Sequence, residues 1–206
     1  MKESLLGGLY IIISSILNIN AKSITPLKTK MQITDEREAD FVLLIEEYDG
    51  TRYILHLEFQ STNDYDIIFR MLRYRLYITQ IEKLPVIQYL IYVGNEPLRM
   101  SNTLSEPGMS YSFNIIDFKN IDCEKFINSK TPEEIVLSIL CDFKSKDVKI
   151  CLRAMLQGIK DTVVEETKRL KYVRQLEVLS QLRNLQEQLD KEVSEMALVY
   201  DIERDM

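Results

Sequence analysis

Apolar and polar side chains recur with different periods along the chain, and these periods predict a mixed first half. Residues 2–17 are mostly apolar and favour a buried helix, although the isoleucines at 11–13 fit a strand equally well. Residues 61–83 predict a helix that begins among several capping side chains and ends before Pro85. Five stretches predict strands, by alternation or by an unbroken apolar run: residues 24–32, 39–47, 52–60, 86–93 and 111–118.

The second half becomes helical from Thr131. The sequence Thr131-Pro132-Glu133-Glu134 has the spacing of a capping box, with proline at the first helical position, and predicts a helix to about residue 143. Further helices are predicted over residues 147–157, ended by Gly158, and from Asp161 almost to the C-terminus. The last helix carries apolar residues at steps of three and four positions, a stripe that suits either a core contact or a dimer interface.

The two strands before and after residue 50 carry apolar side chains at odd positions, so they must pair odd with odd. A two-residue turn at Asp49 and Gly50 would pair odd with even. A three-residue loop with Gly50 in the left-handed region keeps the parity. Continued along the hairpin, this register sets Asp40 opposite Glu58, with Gln60 two residues further on the same face.

Asp40 and Glu58 would then have their Cβ atoms about 4.5–5.5 Å apart. Two carboxylates at this separation repel each other unless a cation lies between them, and a hard divalent ion such as magnesium is the natural candidate. A solvated hairpin face with charges at its polar positions explains the same pattern without a metal. His56, the one histidine of the chain, lies on this face and suits a polar surface residue better than a catalytic base.

The order Asp40, eighteen residues, then Glu58-Phe59-Gln60 resembles the core motif of PD-(D/E)XK nucleases. Together with RMLRYRLY and LPVIQYLIYVG downstream, residues 24–118 resemble more closely the PD-(D/E)XK family transposases, the recombination-promoting nuclease group of bacterial mobile elements. The resemblance implies an α/β fold with a restriction-endonuclease-like αβββαβ core and mixed sheet over residues 1–120. An α-helical C-terminal extension would follow over residues 121–206.

The resemblance also implies roles for individual residues. Asp40 and Glu58 would bind the metal, Mg2+ or Mn2+, and Gln60 would stand in place of the motif's lysine and orient the attacking water. Glu3 is the one candidate for the family's upstream acidic residue. Three residues of the following helix would support the site or bind phosphate: Arg70, Arg73 and Tyr74. The implied activity is magnesium-dependent hydrolysis of DNA phosphodiester bonds in transposition or recombination.

Composition limits the classes of protein that fit. The 206 residues are 46% hydrophobic and 28% charged, an ordinary globular balance that excludes a disordered tail or a fibre. Three cysteines without metal-ligand spacing indicate free thiols in the cytoplasm, and the N-terminal apolar run is shorter than the roughly 20 residues of a membrane span. The net charge of -6 argues against non-specific coating of nucleic acid. The excess of positive charge over residues 144–174 is either a DNA-facing surface or a solvated helix face.

The competing hypothesis is a catalytically inactive relative that binds DNA or a protein and forms a homodimer through its C-terminal helix. Gln60 in place of a lysine favours this hypothesis, whereas the intact pair of Asp40 and Glu58 favours the enzyme. Retention of a divalent ion distinguishes the two, since a scaffold has no need to bind one.

Overall fold

The structure, a computed structural model, describes residues 9–27, 39–144 and 146–204, and for residues 197–204 it describes the backbone alone. Contacts group the chain into two compact units. The sheet unit comprises the described parts of residues 14–117, and the helical unit comprises those of residues 1–13 and 118–206. The predictions for residues 2–8 and 28–32, including Glu3 as an upstream acid, lie outside the described residues.

The sheet unit is built on five strands: β1 (Ala21–Pro26), β2 (Phe41–Glu47), β3 (Arg52–Gln60), β4 (Val86–Tyr92) and β7 (Asn114–Asp117). They form one mixed sheet in the order β1-β2-β3-β4-β7. The first three strands are antiparallel neighbours, whereas β4 is parallel to β3 and to β7. Helix α1 (Ile67–Glu82) connects β3 to β4, because parallel neighbours need a crossover. The prediction of an α/β fold with a mixed sheet and additional helices is confirmed at this level.

Helix α1 covers one face of this sheet through two apolar clusters. The cluster around its first turns includes Ile67, Ile68, Met71, Leu90 and Tyr92. The cluster around its later turns includes Val42, Ile54, Tyr74, Ile78 and Val86. Residues 53–58 of β3 are all buried, and the even positions among them share the face that α1 covers. The polar side chains at these positions, His56 and Glu58, must find hydrogen-bond partners inside the protein.

The start of α1 differs from the prediction because the expected capping side chains have other partners. The Asn63 amide donates to the carbonyl of Pro97 at 3.0 Å and accepts from the backbone N–H of Arg99 at 2.7 Å. Asn63 therefore joins two loops, and the helix begins at Ile67. At its other end, the left-handed backbone of Lys83, with φ of 56°, stops the helix shortly before Pro85.

The single strand predicted over residues 111–118 is wrong. Residues of this stretch belong to two sheets, because a separate hairpin of β5 (Thr103–Glu106) and β6 (Met109–Ser112) ends before β7 begins. Gly108 turns this hairpin with φ of 83°, a backbone conformation that glycine adopts without a steric cost. Phe113 then separates the two strands, and its N–H donates to the carbonyl of Asn102 at 3.2 Å.

The helical unit confirms the change of pattern in the second half. Its helices are α2 (Glu124–Ile127), α3 (Pro132–Leu137), α4 (Val148–Thr162), α5 (Glu166–Gln181) and α6 (Gln186–Arg204). The helix predicted to residue 143 is shorter, since α3 passes into a 3₁₀ turn at Ser138–Leu140. Residues 9–11 are helical and continue into a π-helix at Ile12–Ile16, so the helix rather than the strand is confirmed at the isoleucines.

Two helix ends in this unit were predicted wrongly. Gly158 lies inside α4, where a Cβ would come within 3.0 Å of the Ile135 side chain, so this glycine serves close helix packing and not termination. The long helix predicted from Asp161 is divided into α5 and α6 at residues 182–185, where Asn184 has φ of 56°. The division lets Leu176 and Leu189 of the apolar stripe both be fully buried within the chain.

No helix in the described part of the chain is long and apolar enough to cross a membrane.

Candidate active site

The β2–β3 hairpin has the predicted register. Phe41 pairs with Leu57, which continues to Asp40 opposite Glu58. Gly50 has φ of 88°, as the three-residue loop requires. The prediction that these two carboxylates are neighbours is therefore confirmed.

Asp40 and Glu58 are held together by reciprocal hydrogen bonds. The backbone N–H of Asp40 donates to Glu58 Oε1 at 3.0 Å, and the N–H of Phe59 donates to Asp40 Oδ2 at 2.8 Å. Glu58 Oε1 also lies 2.9 Å from His56 Nε2. Asp40 Oδ1 and Glu58 Oε2 have no hydrogen-bond partner among the described residues. Each carboxylate thus has one oxygen held by the protein and one that remains available.

Burial and mutual repulsion dominate the electrostatics of the pair. Glu58 is 4% exposed and His56 is fully buried, so the alternative of a solvated hairpin face is wrong. Asp40 is accessible at the rim, yet its pKa is raised, first because surrounding protein displaces water from the carboxyl and further because Glu58 is close. The hydrogen bond from Phe59 and the charge of Arg70 oppose this rise. A cation between the carboxylates would remove the repulsion.

The donor set fits magnesium or manganese better than zinc. No three His, Cys, Asp or Glu side chains converge in the described ranges in a way that could hold a metal ion. Zinc generally needs three or four nitrogen, sulfur or oxygen ligands from protein. Magnesium is bound through one or two carboxylates and keeps several waters, which is what the available oxygens of Asp40 and Glu58 provide.

Gln60, at the end of β3, is joined to helix α1. Arg70 Nη2 donates to Gln60 Oε1 at 3.0 Å, and Arg70 Nη1 donates to Asp64 Oδ2 at 3.0 Å. The Gln60 amide nitrogen has no hydrogen-bond partner among the described residues. Arg70 thus holds the Gln60 amide with its N–H groups available, two residues along β3 from Glu58.

The other two residues predicted on this helix lie on different sides of it. Tyr74 is 3% exposed and makes an edge-to-face contact with the His56 ring, with 5.2 Å between centroids. Arg73 is exposed. Tyr74 thus packs behind the carboxylate pair, whereas Arg73 faces away from the sheet.

A chain of buried polar side chains behind Glu58 was missed. His56 is not a polar surface residue: its Nδ1 lies 2.9 Å from the Nε2 of Gln88, and the Tyr111 hydroxyl donates to Gln88 Oε1 at 2.8 Å. The sequence carries one indication of this network: Gln88 is the single strongly polar side chain in the apolar run of residues 86–93. Nothing in the sequence indicates that Tyr111 belongs to the network, since its position depends on the separate β5–β6 hairpin.

The basic segment over residues 144–174 has the character of a solvated helix face. In the described part of this segment, basic side chains pair with carboxylates at Lys144, Lys146, Lys149, Arg153 and Lys168. Charges already neutralised in this way contribute little to the attraction of a phosphate backbone. This part of the helical unit is therefore a poor candidate for a DNA-facing surface.

Comparisons of the chain with protein-family models, with curated proteins and with solved structures found no match.

Proposed function

We propose that the chain is a magnesium-dependent DNA endonuclease related to the PD-(D/E)XK family transposases. The observation that carries the proposal is the pair of Asp40 and Glu58, held at one position of the sheet with one available oxygen each. A protein that used these side chains only for stability would gain from pairing them with cations, because two adjacent carboxylates raise the energy of the folded state.

The order of elements gives independent support. Three antiparallel strands, a helix and a parallel strand follow one another in β1, β2, β3, α1 and β4, which is the βββαβ part of the core that the resemblance implies. Asp40 directly precedes β2 and Glu58 lies near the end of β3, which agrees with the positions that the resemblance implies for the two acids. The helical residues 9–13 group with the helical unit, so the support concerns the part of the core after them.

In hydrolysis, the residues of the site would have separate roles in binding the metal, orienting the water and supporting the site. Asp40 and Glu58 would hold the ion through Oδ1 and Oε2. A bound Mg2+ supplies Lewis-acid chemistry, by polarising the phosphate and lowering the pKa of a water. The N–H groups of Gln60 would orient the attacking water, and Arg70 would fix the Gln60 amide. We infer a supporting role for Arg70 instead of phosphate binding, because both its terminal nitrogens already donate within the protein.

Cleavage of supercoiled plasmid tests this proposal. We expect nicking by the full chain with Mg2+ or Mn2+, abolished by a chelator and by Glu58→Gln, whose amide oxygen can still accept the hydrogen bonds at Oε1. Glu106→Gln, at an exposed position of β5, is the matched control and should cut like the wild type. Nicking that survives Glu58→Gln would refute the site assignment, and a folded wild type that never nicks would refute the enzyme.

The second candidate is an inactive relative that binds DNA or a protein and self-associates through its C-terminal helix. Gln60 favours it, since a neutral amide whose oxygen is bound to Arg70 cannot offset developing charge as a lysine does. Calorimetric titration with Mg2+ or Mn2+ separates the candidates: the enzyme must bind the ion through Asp40 and Glu58, and the scaffold need not.

A further inference from the structure

A buried hydrogen-bonded chain runs from the β5–β6 hairpin to Glu58. The Tyr111 hydroxyl donates to Gln88 Oε1 at 2.8 Å, and Gln88 Nε2 lies 2.9 Å from both the Met71 carbonyl and His56 Nδ1. His56 Nε2 lies 2.9 Å from Glu58 Oε1. Gln88 is 2% exposed, and the other hydrogen-bonded side chains, those of Tyr111, His56 and Glu58, are also buried. Polar groups buried this deeply must each satisfy a donor or an acceptor.

The Met71 carbonyl determines which way round the Gln88 amide lies. A carbonyl oxygen only accepts hydrogen bonds, so the Gln88 atom beside it must be the NH2 nitrogen. The reverse orientation would place two acceptors 2.9 Å apart and would turn the NH2 group towards the Tyr111 hydroxyl. The two N–H groups of Gln88 therefore point to the Met71 carbonyl and to the His56 ring.

The amide orientation in turn determines the proton positions on His56. The second N–H of Gln88 points at Nδ1, which must accept it as a bare ring nitrogen. A proton on Nδ1 would place two donors 2.9 Å apart. The single ring proton is then on Nε2, where it donates to Glu58 Oε1, and the edge contact with Tyr74 holds the ring in this plane.

We propose that Gln88 is a positioning residue that holds His56 with Nδ1 bare and the proton on Nε2, and so commits Glu58 Oε1 to the protein. Glu58 Oε2 is then the oxygen presented to a divalent cation. This last step rests on the proposed function, whereas the tautomer of His56 does not. Outer residues that orient a ligand in this way commonly change metal affinity by about 10- to 100-fold when they are substituted.

The tautomer is measured directly by NMR on the full ¹⁵N-labelled chain. Because the chain has one histidine, the ring signals in a two-bond ¹H–¹⁵N correlation spectrum need no assignment by mutation. We expect an unprotonated Nδ1 and a protonated Nε2, told apart by the number of ring protons to which each nitrogen couples. A protonated Nδ1, or averaged signals from two tautomers, would overturn the proposal without any variant having to fold.

Two variants test the positioning. Gln88→Met removes the donor to Nδ1 at similar side-chain length, and we expect a shifted Nδ1 resonance and Mg2+ affinity at least about tenfold weaker. Tyr111→Phe removes only the hydroxyl beyond Gln88. We expect this variant to keep the Nδ1 resonance of the wild type and to bind Mg2+ with an affinity within about twofold of the wild type. Unchanged affinity in Gln88→Met would overturn the positioning role. A wild type that binds no Mg2+ would overturn the cation step and the proposed function together, while its ring signals would still decide the tautomer.

Discussion

Gly94 provides the sharpest test of how the fold holds the candidate site. It lies just beyond β4, and a Cβ added there would stand 2.1 Å from the Ser61 carbonyl oxygen and 2.6 Å from the Tyr92 ring. Its φ is not in the left-handed region, so close approach alone requires glycine. Ser61 directly follows Gln60, whose carbonyl accepts from the Val93 N–H at 2.9 Å. Gly94→Ala should therefore disturb the end of β3 that carries Gln60.

The size of the effect follows from what has to move. The Ser61 carbonyl would have to withdraw by about 1 Å, and the Tyr92 ring is fully buried and cannot swing aside. Overpacking of this kind costs about 1–3 kcal/mol. Weakening the hydrogen bonds at Val93 and from Tyr92 to the Glu96 carbonyl, 3.0 Å, adds roughly 0.5–1.5 kcal/mol each. We expect Gly94→Ala to lower the free energy of unfolding by about 3 kcal/mol.

Urea denaturation followed by tyrosine fluorescence measures this change, because the chain has eleven tyrosines and no tryptophan. Gly108→Ala is the matched control: its φ is 83° but nothing lies within 4 Å of the added Cβ, so its cost should be only about 1 kcal/mol. In a chain of this size, about 3 kcal/mol corresponds to a fall in Tm of about 6–12 °C. A cost for Gly94→Ala no greater than that for Gly108→Ala would refute the steric argument.

Two further predictions concern titratable groups. The pKa of Asp40 is raised, so its ionised form is disfavoured in the folded state. Asp40→Asn should therefore raise the Tm of the metal-free protein at neutral pH. Asp49→Asn is the control and should not raise the Tm, because a backbone hydrogen bond from Thr51 lowers the pKa of Asp49. A lower Tm for Asp40→Asn in chelator would contradict this. The three buried cysteines should react slowly with a thiol reagent in the native protein, since burial raises the pKa of Cys123 to about 11 and that of Cys141 to about 12. Native labelling should accelerate as the pH is raised from 8 towards 10, and rapid labelling at pH 8 would show that the thiols are not buried as described.

The candidate site also shows how one strand can serve stability and chemistry together. Apolar side chains of β3 fill the core on both faces, and its polar side chains at His56 and Glu58 are satisfied by a buried network. The network satisfies only one oxygen of Glu58. Its other oxygen has no partner among the described residues, and an acceptor left unsatisfied on a buried carboxylate lowers the stability of the fold.

Local sequence determined the β2–β3 hairpin and with it the neighbouring carboxylates. Parity of the apolar positions and the glycine at position 50 admit one register, so neither depends on distant parts of the chain. The same holds for Arg52–Gln60, whose bounds agree with the prediction, and for the change to helices in the second half.

Tertiary structure alone decided the features that depend on long-range packing. Burial of His56 requires helix α1 over the sheet. Its partner Gln88 lies 32 residues along the chain, and the Tyr111 hydroxyl that donates to Gln88 comes from a separate hairpin. Gly158 is of the residue type that often ends a helix, but it lies inside α4, where it allows close packing against Ile135. A sequence pattern records which face of an element is apolar, and it does not record which distant donor or acceptor will be placed against a buried polar group. That pairing is determined only when the whole core is assembled.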